Sequence, residues 1–318
     1  MQSIIDSKGL NLRGLESANS DLLDLALKLT RAGTWPVRFQ GNRGTCNAFS
    51  VLAAEELFRS YKAGGASIER LSVEFLYHHA RAELLSGIGF PVDPDLLGEG
   101  ATFLAQVRCA LMAHGVCPEH DLPYRDDPDL PPDYIVPRIP EAATRAAEDR
   151  KKRFPAEFAV NTKYLDETGK MVWTTDIRDA PVSEVFLAAL NDHRPVVASL
   201  AILRDPGQAA WYGHRAIDFG AVAFPQNDRA AIRDAGAGHS VCIVGFLPGP
   251  DGNARDNGHF IFRNSFGTTY FAREPDRKNR PPRTPVPGFG FIPVEVVEAY
   301  CWEYLYHGSH LDSTGKTA

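Results

Sequence analysis

The sequence predicts an α+β chain in which a helical part comes first and a strand-rich part follows, on three observations. Apolar residues recur at helical spacing between about residues 40 and 124. Short, wholly apolar runs bounded by turn residues dominate from about residue 163 onward. Seven prolines between Pro118 and Pro140 separate the two regimes. At 318 residues the chain holds one large or two modest domains. The reading adopted is a single unit: an N-terminal segment (1–39), a helical lobe (about 40–124) and a strand-rich lobe (about 125–318) with long loop insertions.

Asp21 to Thr30 read as one short amphipathic helix. Gly44 is a turn signal and Thr45 a candidate N-cap, after which Phe49, Leu52, Ala53 and Leu57 fall on one helical face, so Cys46 opens a helix. Further helices are expected over about Ser72–Leu84 and Thr102–His114. Strands are expected at Pro195–Leu203, Ser240–Phe246, Phe260–Arg263 and Phe289–Ile292. Ser86–Leu97, Arg125–Lys163, Arg204–Asp234 and Arg273–Pro287 read as loops, and the charged run Glu148–Arg153 belongs to the crossing between lobes.

Composition is that of an ordinary globular protein, 44% hydrophobic and 23% charged. A net charge of −6 provides no general attraction to nucleic acid or acidic lipid, so neither is expected as a partner. The first residues lack an apolar core of signal-peptide length, and the longest apolar stretch, Val196 to Leu203, is too short to span a bilayer. A cytoplasmic location is therefore expected. Of five cysteines, Cys109, Cys117, Cys242 and Cys301 read as buried thiols without a disulfide framework. The string Cys109, His114, Cys117, His120 does not match common zinc spacings and is read as helix packing. No metal or cofactor is expected.

Chemistry concentrates in three blocks. Backbone N–H groups at a helix start favour a thiolate, so Cys46 is a candidate nucleophile. Gln40, across a Gly-rich bend, can bring a side-chain amide to the same spot, where it and the Cys46 N–H would face a developing oxyanion. His239 follows a small-residue bend and begins an apolar strand, the position of a candidate base. A hairpin about Asp251–Gly252 would pair residues whose numbers sum to about 503, which brings Asn264 opposite His239 within a residue or two of register. Asn264 can then orient the imidazole. Each residue alone has a plain structural explanation; together they make the set Cys, His, Asn with an oxyanion donor.

These blocks resemble the papain-like cysteine peptidases. Gln40-Gly-Asn-Arg-Gly-Thr-Cys46-Asn-Ala-Phe49, Gly238-His239 before an apolar strand, and Asn264-Ser-Phe266-Gly267 match that family's motifs, with fainter likeness from about Trp35 to Trp302. The resemblance implies a two-lobe fold with the active site in the cleft. It assigns Cys46 as nucleophile, His239 as base, Asn264 as orienter and Gln40 as oxyanion donor. Phe266 stands where the family carries a Trp that shields the His–Asn bond. Arg43 replaces a cysteine that forms a disulfide in secreted relatives, and Asn47 replaces the Trp after the nucleophile. Both changes fit a reducing compartment.

By the same resemblance, Glu99 and Gly100 fall where paired glycines bind the substrate backbone. Ala101 and Thr102 lie beside the main side-chain pocket, with Ala237, Gly238 and Ser240 toward its other wall. Small residues there leave room for a bulky apolar side chain two positions before the scissile bond. The implied activity is a cysteine endopeptidase acting on polypeptides through an acyl-enzyme. A ligase or amidase using the same intermediate, and an inactive peptide-binding relative, are the alternatives. The long inhibitory prosegment of secreted members has no counterpart in the roughly 35 residues before the first matching block, so the chain is expected to act without processing. The basic loop Arg273–Arg283 reads as a solvated surface loop.

Overall fold

The computed structural model describes residues 20–85, 98–154, 157–165, 171–173, 181–202, 211, 222, 237–249, 258–268 and 287–308. The expected Asp251–Gly252 turn, the Ser86 loop up to Leu97, nearly all of 204–234 and the segment 273–286 lie outside them.

Helices α1 (Ser20–Arg31), α2 (Cys46–Lys62), α3 (Val73–Leu85) and α4 (Leu104–His114) come first, at the places their apolar spacing predicts. The amphipathic face of α1 puts Leu22, Leu23, Ala26, Leu27 and Leu29 into the core, against α2 and the sheet. α2 is the central helix. Its buried set extends from Asn47 almost continuously to Ser60, because one face meets the sheet and others meet α1, α3 and α4.

The second half adds α5 (Glu141–Arg153), β1 (Phe158–Leu165), β2 (Met171–Trp173), α6 (Val182–Asn191), β3 (Val196–Ile202), β4 (Ala237–Leu247), β5 (His259–Arg263), β6 (Phe289–Pro293), α7 (Val294–Tyr300) and β7 (Cys301–His307). The seven strands form one sheet in the order β2-β1-β7-β3-β4-β5-β6, antiparallel at every pairing. The last strand of the chain thus lies inside the sheet, between β1 and β3.

Two expectations change here. The stretch read as a loop from Arg125 to Lys163 contains α5 and the start of β1. The helix escapes a hydrophobic-periodicity reading because its buried stripe is Ala143, Ala147 and Arg150, small or charged residues at helical spacing after Pro140. Cys109 is exposed on α4, whereas Cys117, Cys242 and Cys301 are buried as expected; all five cysteines are free.

The helical side and the sheet meet through buried charge as well as apolar packing. Glu56 of α2 accepts from Arg38 (3.0 Å), from the Trp35 indole (2.7 Å) and from the Leu71 backbone N–H (2.8 Å). Glu55 meets Arg59, Arg150 and His307 of β7. No helix among the described residues is long and apolar enough to cross a membrane.

Candidate active site

Cys46 is the first residue of α2. Thr45 occupies the N-cap position but makes no cap bond, because its hydroxyl is committed to Tyr124 at 2.9 Å. The first intrahelical bond runs from Phe49 N–H to Thr45 O, which leaves the earlier N–H groups of the turn pointing outward. Cys46 itself is half-buried there. One helical turn on, Ser50 donates to the Ser240 carbonyl at 2.8 Å. The nucleophile end of α2 is thereby fastened to the residue next to His239.

His239 is 2% exposed, and its Nε2 lies 2.8 Å from Asn264 Oδ1. That oxygen also accepts the Ser265 backbone N–H at 2.8 Å, which fixes it as the carbonyl end of the amide. The imidazole must therefore donate from Nε2, and Nδ1 keeps the lone pair of a base. Phe266 stacks on the ring (4.4 Å, 21°) in the position where the resemblance implies a shield. Trp211 meets the same ring edge-on (4.8 Å, 75°) and is fully buried.

The strand pair that brings these residues together runs at a slightly different register from the one expected. Cys242 faces Arg263 and Ile243 faces Phe262, a sum of 505, and beyond a bulge between Ile243 and Gly245 the sum is 506. His239 and Asn264 are therefore offset instead of directly opposed, and the length of the asparagine side chain spans the offset.

Gln40 is held from three sides. Its backbone N–H donates to Ser265 O (2.8 Å), its Oε1 accepts from the Ser265 hydroxyl (2.6 Å), and its Nε2 donates to Arg43 O (3.0 Å). An Nε2 group has two hydrogens, so one remains for an oxyanion. Asn264, Ser265 and Phe266 thus make three contacts in succession: with the His239 ring nitrogen, with the Gln40 amide and with the face of the His239 ring.

The bend from Gln40 to Cys46 is anchored by Arg43, which pairs with Glu74 of α3 at 2.7 and 2.9 Å and donates to Arg125 O and Tyr134 O. The rings of Tyr77, Tyr124 and Tyr134 lie 4.9–5.3 Å from its guanidinium carbon. Gly44 is required here, because a Cβ would lie 2.5 Å from Glu99 O and Gly100. Gly100 has φ +74°, and a Cβ on it would meet Pro132 O at 2.2 Å.

The remaining residues expected at the substrate are placed as follows. Glu99 is exposed; the Gly100 carbonyl accepts from the Tyr77 hydroxyl (2.8 Å) and the Ala101 carbonyl from Arg81 (2.8 Å). Thr102 is buried, its carbonyl taking a hydrogen bond from Asn47. Gly238 is exposed beside the Trp302 ring, and Ala237 pairs with Ile202. Ser240 is 1% exposed, its hydroxyl turned to Asn47 and Ser199, which is inside the packed interior and not on an open pocket wall. Among the described residues, no group of three or more His, Cys, Asp or Glu side chains is arranged to hold a metal ion.

Electrostatics run against the thiolate expected from the helix start. Desolvation raises the half-buried Cys46 thiol above its ordinary value, outweighing the nearby N–H and hydroxyl groups that favour its anion. Burial also lowers His239 to about 4, with the Asn264 bond opposing more weakly. Both shifts favour the neutral form, the thiol at Cys46 and the uncharged imidazole at His239. Sequence reading missed Trp211, which lies in a stretch with no periodic signal, and missed the Ser265 bond to Gln40, which needs the two blocks in contact.

No protein-family model matches the sequence, and no curated protein matches it. Solved structures do resemble it. Xylellain, a cysteine protease from Xylella fastidiosa, superposes with a TM-score of 0.54 at 17% identity, covering 86% of this chain and 82% of that one. The ragweed pollen allergen Amb a 11, a cysteine protease in its proform, superposes at 0.50 and 16% identity over 87% of this chain and 63% of that one. The architecture is the papain-like cysteine protease fold, α+β with a helical part and a sheet part.

Proposed function

We propose that the protein is a cysteine peptidase that cleaves peptide bonds through Cys46, His239, Asn264 and Gln40. One observation carries the reading. Cys46 opens α2, Ser50 one turn on bonds the carbonyl of Ser240 next to a buried histidine, and that histidine is held by an asparagine in the tautomer that leaves Nδ1 basic.

In the first step Nδ1 of His239 takes the thiol proton as sulfur attacks the substrate carbonyl carbon. The oxyanion is received by the Cys46 N–H and the free Nε2 hydrogen of Gln40. The imidazolium then protonates the leaving amine, and a water, deprotonated by the same nitrogen, hydrolyses the thioester. The substrate class is a polypeptide, laid against the segment Glu99–Thr102.

The deciding experiment pairs an epoxysuccinyl peptide with Cys46→Ala. Labelling of Cys46 with sparing of the other four cysteines, turnover of a peptide library by the native protein, and loss of turnover with unchanged melting in Cys46→Ala are the expected results. A Cys46→Ala protein that still cleaves overturns the mechanism. A native protein that binds peptides but is neither labelled nor active is a binding module. Appearance of ligated products with an added amine assigns the acyl-enzyme to transfer.

A further inference from the structure

Three successive carbonyls of the segment Glu99–Thr102 are each taken by a buried side-chain donor. Tyr77 and Arg81 of α3 donate to Gly100 O and Ala101 O, each at 2.8 Å, and Asn47 Nδ2 donates to Thr102 O. The donors are 0%, 4% and 4% exposed, so the bonds are shielded from water. Two of them tie the segment to α3. Asn47 ties it to the helix that Cys46 opens, from the position next to the sulfur-bearing residue.

The other end of the same amide faces the sheet. A carbonyl oxygen can only accept, so Nδ2 is the end turned to Thr102 and Oδ1 the end turned to the serines. Oδ1 accepts from Ser240 Oγ of β4, the residue after His239, and from Ser199 Oγ of β3 at 3.3 Å. The two serines are register partners, and the Ser240 carbonyl is clamped to α2 by Ser50 at 2.8 Å. One short side chain therefore bonds both the segment expected at the substrate and the strand that carries the base. The sequence resemblance places a Trp here, and an indole, with one N–H and no acceptor, could not bond both sides.

We propose that Asn47 is a positioning residue: it sets the place of the Glu99–Thr102 segment relative to Cys46 and His239, so that a peptide held on that segment presents its carbonyl to the sulfur. It acts through the segment and not on the reacting atoms. Without the Asn47 amide, the Thr102 carbonyl is released while Tyr77 and Arg81 still hold Gly100 and Ala101 to α3. The segment stays attached but is no longer referenced to the nucleophile. What suffers is peptide binding in the productive place, because a small displacement of substrate is enough to spoil attack, while the thiol keeps its own reactivity.

This role rests on the peptidase reading, and its test follows alkylation of Cys46 instead of cleavage. An uncharged peptidyl chloromethyl ketone, which needs the segment, is compared with chloroacetamide, which does not, in the native protein, Asn47→Ala and Asn47→Asp, with melting curves for each. Asn47→Ala should raise the half-saturating concentration of the peptide reagent about tenfold, the effect of one buried hydrogen bond, and leave the chloroacetamide rate within about twofold. Asn47→Asp still accepts from the serines, and burial keeps its acid protonated at low pH, where the acid hydroxyl can donate to Thr102 O. Half-saturation in that variant should be native-like at acid pH and weaken as the carboxyl ionises, a dependence that the native protein, titrating the same Cys46 and His239, lacks. Equal slowing by both reagents, or an unchanged half-saturating concentration in folded Asn47→Ala, overturns the assignment. If Asn47→Ala does not fold, the Asn47→Asp profile decides, and a flat one overturns it. A native protein that is alkylated by the peptide reagent with saturation yet cleaves no peptide sinks the proposed function and leaves this result readable.

Discussion

Arg43 and His239 occupy similar surroundings and end in opposite charge states. Each is buried among aromatic rings, three tyrosines around Arg43 and Phe266 with Trp211 around His239. Burial disfavours the charge on both. For Arg43, the hydrogen bonds it donates to the Glu74 carboxylate and the attraction between the two charges outweigh burial and raise its pKa. For His239 the partner is a neutral amide that cannot offset burial, and the ring falls to about 4. The partner, not the aromatic setting, decides the protonation state. The irregular bend before Cys46 has no strand ladder to fix it and is held by a permanent ion pair, whereas the proposed base role of His239 requires a ring free to accept a proton.

The sharpest way to break that comparison is Arg43→Ala, which leaves Glu74 buried without its cation. A loss of about 3–5 kcal/mol in denaturant melting is expected, with turnover falling as the Gln40–Cys46 bend loosens. The double change Arg43→Met with Glu74→Leu should recover most of the stability. If the double variant is as unstable as the single one, the carbonyl bonds and tyrosine cage hold the bend and the ion pair does not.

Gln40→Ala should lower kcat by about 10²–10³ with little change in KM, the effect of losing one oxyanion donor. Ser265→Ala, which frees the Gln40 amide to turn, should reproduce part of that loss. A raised KM at constant kcat would make Gln40 a binding residue instead.

The neutral side of the comparison predicts a pH effect on stability. Unfolded histidine titrates near 6.5 and native His239 near about 4, so between these values the unfolded chain binds more protons and stability rises with pH. His239's contribution is complete above the upper value and gone below the lower one. His239→Ala should remove on the order of 3 kcal/mol from the rise across that window, seen as the difference between native and variant profiles. The difference matters because other groups titrate there: His79, also lowered to about 4, adds to the rise, while Glu303, raised to about 7, opposes it. Superimposable profiles would show that His239 is already charged in the native state.

The smallest effect is expected at the ring's cover. Phe266→Ala should admit water to the His239–Asn264 bond and cost roughly tenfold in kcat, while Asn264→Ala, which removes the bond itself, should cost tenfold to a thousandfold. Equal losses in the two would mean that Phe266 acts by holding Asn264, not by excluding water.

The sequence by itself marked α1 to α4 and strands β3 to β6 and singled out four candidate site residues, because those signals are local, whereas β1, β2, α6, α7 and β7 gave no signal that was read. Apolar spacing marks α2, α3 and α4, a small-residue bend precedes β4, and the resemblance rests on three short blocks. Even there, α5 was hidden, since an alanine stripe carries no strong hydrophobic signal. The tertiary structure alone decided what depends on distant segments meeting. Strand β7 was inserted beside β3, Ser265 was brought to Gln40, and Trp211 was set against His239. The charge of the reacting pair belongs to the same class. A helix start favours a thiolate when it faces water, but the free energy of a charge depends on how much solvent the whole fold leaves around it, and here burial prevails for both Cys46 and His239.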